Sequence, residues 1–518
     1  MKKSIIALAV CTLPVLASAQ YTFDALQLSQ TELRGTSRFM SMGGAFGALG
    51  GDISTLNQNP AGIGIYRSND IGLTVSLDLN SIEAAGTKHD QTKFNFNNVG
   101  YVGAIKLDSE TMPNLNWGFS YNRNNSYNRR FRGALTGIPT SITNYLADMA
   151  TFDGLKPADL SGGKAFDGVG DWNQILAYQN NLMLNRTGGG FDGLGFDDVS
   201  GEAEFEVEER GHTDEFSIAL GGNLSNTLYW GMAVGINDML YEYNRYYGEV
   251  LYNTVVYDKP KGGELVDGDA AFGFTDWSRT TGTGYNFKFG VIVKPVNEFR
   301  FGVAFHTPTY YNMKDRYQSV LATDFYTDDD EYSLNDAYTP NSTTYYKIRT
   351  PWRFMGSMAG VIGSKGLLSF DYEYVGNTNI RLLDDYGYEF AGSVDEVKTY
   401  LSPTHIFRVG GELRVTPNWS LRAGYNYQTS NADQRVRDND IDVVVGSSNP
   451  SYTFDRSVQN ITAGFGYHYK SVYFDMAYVH KNRQSTFMAF PLDDNGLNVG
   501  AKVNEHDNKI SATLGFRF

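Results

Sequence analysis

From Ile71 onward, apolar residues recur at every second position in one segment after another. Ile71, Leu73, Val75, Leu77 and Leu79 share one parity, and Val99, Tyr101, Gly103, Ile105 and Leu107 repeat the pattern. Side chains alternate across a strand, so a period of two gives one apolar face and one polar face. The same reading holds for Leu115–Tyr121, Phe216–Leu224, Leu228–Ile236, Tyr285–Val293, Phe299–Phe305, Trp352–Ile362 and Leu368–Tyr374. It continues through Phe407–Val415, Trp419–Tyr427, Ile461–Tyr469 and Val472–Tyr478, and ends at Ile510–Phe518, where the chain stops on an aromatic residue. These are fourteen segments, an even number, as a closed antiparallel barrel requires. The pattern predicts an all-β protein, a 14-stranded antiparallel transmembrane β-barrel with its apolar face towards lipid.

The connections alternate in length. Short ones fall at 108–114, 225–227, 294–298, 363–366, 416–418 and 470–471. Long ones fall near 80–98, 122–215, 238–284, 307–350, 375–404, 428–460 and 480–509. Barrels of this kind carry short turns in the periplasm and long loops outside. Both termini are then expected on the periplasmic side, with Ile510–Phe518 closing the barrel against Ile71–Leu79. The loop at about 122–215 is the longest, with weak helical patterning at 141–149 and 172–184, and a loop of that length is usually functional or a cap. Charge supports the register: Lys106, Lys288, Arg300, Arg353, Asp371, Glu373, Arg408, Glu412, Arg414, Arg422, Asp475 and Arg517 all fall on polar faces. A charge facing lipid at mid-membrane would cost about 2–4 kcal/mol.

Residues 1–19 read as an export signal, with Lys2 and Lys3, an apolar run from Ile5 to Leu16, and Ala17-Ser18-Ala19 as the cleavage site. Cys11 is the single cysteine, so the mature chain has no disulfide and no thiolate metal site. The net charge is −15 and becomes −17 without the two lysines, which argues against nucleic acid as a partner. Residues 20–69 lack strand alternation. Gly43-Gly44-Ala45-Phe46-Gly47-Ala48-Leu49-Gly50-Gly51 is a run of small residues that permits close backbone packing, and the whole segment suits a plug in the lumen, with the barrel spanning 70–518.

The chain resembles the FadL/TodX family of outer-membrane transporters for hydrophobic compounds. Gly35–Ala45, then Asp52, then Asn59-Pro60-Ala61 looks like the family's hatch ending in its Asn-Pro-Ala signature. The fourteen strands match, as does Phe305-His306-Thr307-Pro308-Thr309-Tyr310 followed by Thr350-Pro351-Trp352-Arg353. The resemblance implies passive uptake, without cofactor or catalysis, of a hydrophobic ligand such as a long-chain fatty acid. The ligand is captured among outer loops, passes to a lumen site and is released past the hatch. It also implies contact with the bilayer, lipopolysaccharide and the outer-membrane assembly machinery, and a monomer. A haem-uptake barrel on the same architecture is the alternative.

Candidate residues follow. Phe23, Phe39, Met40, Met42, Phe46 and Leu49 would contact ligand, or would pack the plug against the wall. Lys288, Arg353, Arg408 and Arg422 would hold a carboxylate head group, or would pair with the lumen acids. His306 and His468 face the lumen by register and could serve haem. Phe516 and Phe518 are expected to signal membrane assembly. The acidic runs Asp328–Glu331 and Asp438–Asp442 lack full calcium-loop spacing and read as solvated surface.

Overall fold

The computed structural model describes residues 22–168, 170–194, 200–258, 264–327, 331–363, 365–443, 445 and 449–518. The expected signal segment, 1–19, and Asp328–Asp330 lie outside the described residues.

Fourteen strands form the wall. They are β1 Asp70–Ala84, β2 Thr87–Lys106, β3 Asn114–Asn125, β4 Ser200–Leu224, β5 Leu228–Asp258, β6 Glu264–Val296 and β7 Phe299–His306, then β8 Arg353–Ile362, β9 Gly366–Val375, β10 Thr404–Arg414, β11 Trp419–Thr429, β12 Tyr452–Tyr469, β13 Val472–Met488 and β14 Gly500–Arg517. Each pairs antiparallel with the next. The last pairs with the first, with Ile71 opposite Phe516 and Leu77 opposite Ile510, so the ring of strands is closed. Ile71, Leu73, Phe119, Ile218, Phe301, Leu421 and Leu514 all stand exposed on its outer face, as the lipid-facing parity requires.

Much of what the sequence reading took for long loops is strand. Segment 80–98 is the tip of the β1–β2 hairpin, and β5 and β6 run on together far past the apolar band. Strand Tyr310–Thr327 extends β7 upward along β6, and Ser342–Arg349 and Arg381–Asp384 pair in turn beside it. The signal was hidden because polarity inverts where the wall leaves the membrane. On β4 the outward residues are Phe216, Ile218 and Leu220 in the membrane, but Glu202, Glu204, Glu206 and Glu208 above it. The inward residues change in the opposite sense, from Ser217 to Ala203, Phe205 and Val207. In the bilayer the solvent outside is lipid; above it the solvent is water, so the same alternation serves with its faces exchanged.

Those inward apolar faces surround a hydrophobic core above the barrel mouth. Phe205, Val207, Tyr247, Phe272, Phe274, Leu321 and Phe487 pack there against two helices from within 122–215, Ile142–Phe152 and Trp172–Gln179. These helices coincide with the two weakly helical stretches of the sequence. Leu146, Ile175 and Leu176 of these helices are buried in the core, so this segment forms a lid with a core of its own.

Candidate functional site

The N-terminal segment is threaded through the whole lumen. It joins β1 at the periplasmic end, as the turn lengths require. Its first helix, Thr22–Leu28, nevertheless lies at the opposite, outer end, among Tyr241, Tyr311, Tyr346, Tyr452 and Phe454, so the start of the described chain is not on the periplasmic side. From there it descends, held by polar contacts to many wall strands. Arg34 reaches Asp78 at 2.7 Å and Asn97 at 2.9 Å. The backbone of Ser37 donates to Thr513 at 2.7 Å, and its hydroxyl lies 3.0 Å from that of Ser511. Thr462 donates to Ser41 O at 2.9 Å, Arg38 pairs with Glu412 at 3.0 Å, and Gly47 N–H donates to Asp371 at 2.9 Å. Arg300 donates to Leu49 O at 2.8 Å, and Asn116 donates to Ile63 O at 2.6 Å. A lumen wall that must hold backbone needs such groups, because buried polar atoms left unpaired are costly.

Asn59, Pro60 and Ala61 sit directly against the wall. The Asn59 side chain accepts from Ala61 N–H at 3.1 Å and donates to Gly47 O at 2.6 Å, tying the glycine-rich run to the short 3₁₀ helix Pro60–Ile65. Proline opens that helix, where its missing N–H has no partner to lose. The opposing wall positions are glycines. A Cβ on Gly290 would overlap Asn59 Oδ1 and lie 2.9 Å from its Cγ, and one on Gly231 would lie 2.7 Å from Ala61 N. Gly302, Gly410, Gly424 and Gly464 receive Gly47, Met42 and Ser41 in the same way. The sequence reading missed this belt. Its signal was a glycine at a lumen-facing, mid-strand position on several strands, where a side chain would ordinarily strengthen the sheet.

The six apolar residues separate into two places. Phe23 stacks on Tyr452 with centroids 5.0 Å apart, inside the outer aromatic cluster. Phe39, Met40, Met42, Phe46 and Leu49 pack with Leu33, Ala359, Ala477 and Val479 between segment and wall. Of these, Phe39 also borders the main lumen cavity.

That cavity has a volume of about 140 Å³. Its walls bring together Lys288, Arg353 and Arg408 with His306, Glu215, Glu373, Asn57 and Gln58; Leu33, Phe39, Met355 and Ile406 give it an apolar side. All four predicted head-group cations are ion-paired. Lys288 pairs with Glu215 and also holds Asn57. Arg353 and Arg408 share Glu373 at 3.1 and 2.5 Å. Arg422 lies away from the cavity and bridges Glu412 and Asp475 at 2.6 and 2.5 Å. Several cavity residues also grip the N-terminal segment. His306 meets Gln58 O at 2.8 Å, and Arg353 reaches Thr31 at 3.0 Å and Ser29 O at 3.4 Å. His468 lies by the 470–471 turn, at the other end of the barrel from His306, so these two histidines do not converge. Among the described residues no group of three or more His, Cys, Asp or Glu side chains forms a metal site.

The wall itself is interrupted once beside this cavity. β2 pairs with β3 only over Asn98–Lys106, while its residues 87–97 pair with β1 alone among the described strands. Phe94 and Phe96 are still lipid-facing here, so the break falls in the outer part of the apolar band. Side chains close it. Arg123 bonds Asn95 at 3.2 Å and Asp214 at 2.9 Å, and outside them the Phe96 and Tyr121 rings lie 5.5 Å apart.

Residues 275–506 match the family model described as outer membrane protein transport protein (OMPP1/FadL/TodX). Among solved structures, a Pseudomonas aeruginosa FadL homologue aligns over 95% of this chain and 100% of its own, with 12% identity and a TM-score of 0.51. The Pseudomonas putida toluene transporter TodX covers 94% and 99% at 11% identity and a TM-score of 0.48. The Ralstonia pickettii toluene transporter TbuX covers 95% and 100% at 13% and 0.45. No curated protein matches the sequence. A closed fourteen-stranded wall and the match over residues 275–506 make the chain similar to the Gram-negative outer-membrane transport proteins of the OMPP1/FadL/TodX family.

Proposed function

We propose that this protein is a passive channel for hydrophobic compounds with an anionic head, long-chain fatty acids foremost, and that residues 22–66 are its hatch. The observation that carries this reading is the sharing of groups at the cavity. Lys288, Arg353 and His306 line the space a ligand would occupy and also hold Asn57, Thr31 and Gln58 of the segment. A carboxylate entering there competes with Glu215, Glu373 and the segment for the same donors. Arg353 and Arg408 offer the planar fork that suits a carboxylate. Leu33, Phe39, Met355 and Ile406 would receive the first part of an acyl chain, each square ångström of apolar burial contributing about 25 cal/mol. A ligand moves an equilibrium only through a difference in affinity between its two states. Here the difference comes from hatch contacts that must break before the head group can bind.

The interruption between β2 and β3 favours sideways release over passage to the periplasm. Strands that already lack ladder hydrogen bonds there can part by moving Arg123, Asn95 and Phe96 alone. The haem reading finds no support in the histidines, since His306 spends Nε2 on Gln58 O.

Mass spectrometry of lipids retained by gently purified protein, followed by oleate titration, tests the assignment. Saturable oleate binding that weakens about tenfold in Arg408→Gln is expected. Retention of membrane phospholipid alone, with no saturable oleate binding, would overturn it.

A further inference from the structure

Above the membrane on one side of the barrel the outward face is strongly basic, although the chain as a whole carries −15. Three neighbouring extensions contribute, with part of β6. Their outward residues are Arg279 on β6, Lys314 and Arg316 on Tyr310–Thr327, Lys347 and Arg349 on Ser342–Arg349, and Arg381 on Arg381–Asp384. The register fixes the face. Tyr310 is opposite both Tyr285 and Arg349, and those two tyrosines are 41% and 61% exposed and stacked 5.7 Å apart, as the top of the lipid-facing band. Arg349 and Arg381 are level with that ring pair. Lys347 and Lys314 stand higher on the same face. Arg316 and Arg279 are six residues beyond Tyr310 and Tyr285, about 20 Å along the strands.

Two features of this face lack an internal explanation. Arg316 is directly opposite Arg279, and Arg349 is directly opposite Arg381. Like charges in directly opposed positions destabilise a sheet. The acids present do not balance them: Glu242 lies 3.4 Å from Arg279 and Glu389 lies 3.3 Å from Arg381. Lys347 donates to the Asp385 carbonyl at 2.6 Å, and Lys314 lies over the Tyr345 ring at 5.6 Å. Among the described residues Lys314, Arg316 and Arg349 have no carboxylate partner. Two strands from β6, the outward face of β4 carries Glu202, Glu204, Glu206 and Glu208 instead, so the basic face is local.

We propose that this face binds the phosphorylated headgroup of lipopolysaccharide in the outer leaflet. The position is continuous with the lipid-facing tyrosines, so a molecule whose acyl chains lie against Phe287, Phe305 and Tyr285 holds its phosphates beside Arg349, Arg381 and Lys347. Phosphates further up its core reach Arg316 and Arg279. Guanidinium groups grip such oxygens two at a time, and one phosphate between paired arginines converts their repulsion into two attractions. Tyr386 and Tyr388, 87% and 74% exposed on the adjoining turn, present aromatic faces at the height of the sugars.

The test uses the full-length protein in detergent, native mass spectrometry, and three probes: bisphosphorylated lipid A, the same lipid dephosphorylated, and inorganic phosphate. One or two retained lipid A molecules are expected, with at least tenfold weaker retention of the dephosphorylated lipid and no displacement by millimolar phosphate. The variant Arg316→Gln/Lys347→Gln/Arg349→Gln should lose at least tenfold in lipid A retention. Glu204→Gln/Glu206→Gln on the acidic face should lose nothing. Should the triple variant fail to fold, the wild-type thermal midpoint decides, and it should rise with lipid A but not with its dephosphorylated form. Equal retention of the two lipids, displacement by free phosphate, or full retention by a folded triple variant would overturn the proposal. Oleate binding, measured alongside, is independent of this face and distinguishes failure here from failure of the channel assignment.

Discussion

Replacing Gly290 by valine should unseat the hatch while leaving the wall intact. Gly290 faces Gly231 and Ala304 across its two ladders, and a valine there keeps every backbone hydrogen bond and suits a strand. On the lumen side there is no room. The new Cβ would overlap Asn59 Oδ1, 2.9 Å from Asn59 Cγ and 3.3 Å from Pro60 Cδ, and two further methyl groups would follow it inward. Overpacking of this kind costs about 1–3 kcal/mol. If Asn59 swings away it gives up its bonds to Gly47 O and Ala61 N–H, each contributing about 1 kcal/mol. By either response the seated hatch loses roughly 1–3 kcal/mol, which favours displacement of residues 57–63 by about five- to a hundred-fold. Single-channel recording in planar bilayers should show higher conductance than wild type, and hydrogen exchange should rise at 57–63 but not in β5–β7. Gly356, which has open space on the lipid side, supplies the control Gly356→Val. A folded Gly290→Val protein with wild-type conductance and protection would refute the close-packed hatch.

Glu373 is the counter-ion of both Arg353 and Arg408, so Glu373→Gln frees two cations and should tighten oleate binding about tenfold, whereas Arg408→Gln leaves that buried carboxylate to Arg353 alone and should lower stability by about 2 kcal/mol in denaturant titration. The lid should loosen as pH rises: burial pushes Glu249 up to about 7, although Ser141, Tyr247 and the Ile142 N–H stabilise its charged form, and burial raises Asp148 and Asp442 to about 6. Groups whose folded pKa is raised bind more protons folded than unfolded, so their contribution is complete near pH 4 and is lost through pH 7. Hydrogen exchange in Ile142–Phe152 should therefore quicken, after correction for intrinsic rate, between pH 5 and pH 8, and less so in Glu249→Gln. Deleting Phe518, whose ring stacks on Phe516 at 5.4 Å, should reduce outer-membrane levels by fractionation while purified protein still binds oleate. Unchanged surface levels would count against an assembly role.

The wall was legible because lipid imposes one rule on every strand, and parity alone placed Lys288, Glu373 and Arg408 inside. The extensions obey the converse rule, so Ala203, Phe205 and Val207 read as a strand only once the water side is allowed to change. The small-residue run ending in Asn59-Pro60-Ala61 was legible as a segment apart from the wall, but not its course. Thr22–Leu28 reaches the outer end of the lumen through contacts with residues hundreds of positions away, such as Phe23 on Tyr452. The pairing of each lumen cation was likewise a matter of which strands adjoin. Glu373 is opposite Ile406, yet reaches both Arg408 and Arg353 because β8, β9 and β10 are neighbours. The glycine belt needed both facts at once, the lumen parity of the wall and the path of the hatch.

Because Cys11 is the single cysteine of the sequence and falls within the expected export signal, a reversible tether is available where the Ser37 and Ser511 hydroxyls lie 3.0 Å apart. Transfer of oleate into liposomes containing Ser37→Cys/Ser511→Cys protein, oxidised and then reduced, bears directly on whether the hatch must move. Transport should stop on oxidation and return with dithiothreitol, while each single cysteine variant transports in both states; undiminished transport through the cross-linked protein would contradict a hatch-gated channel.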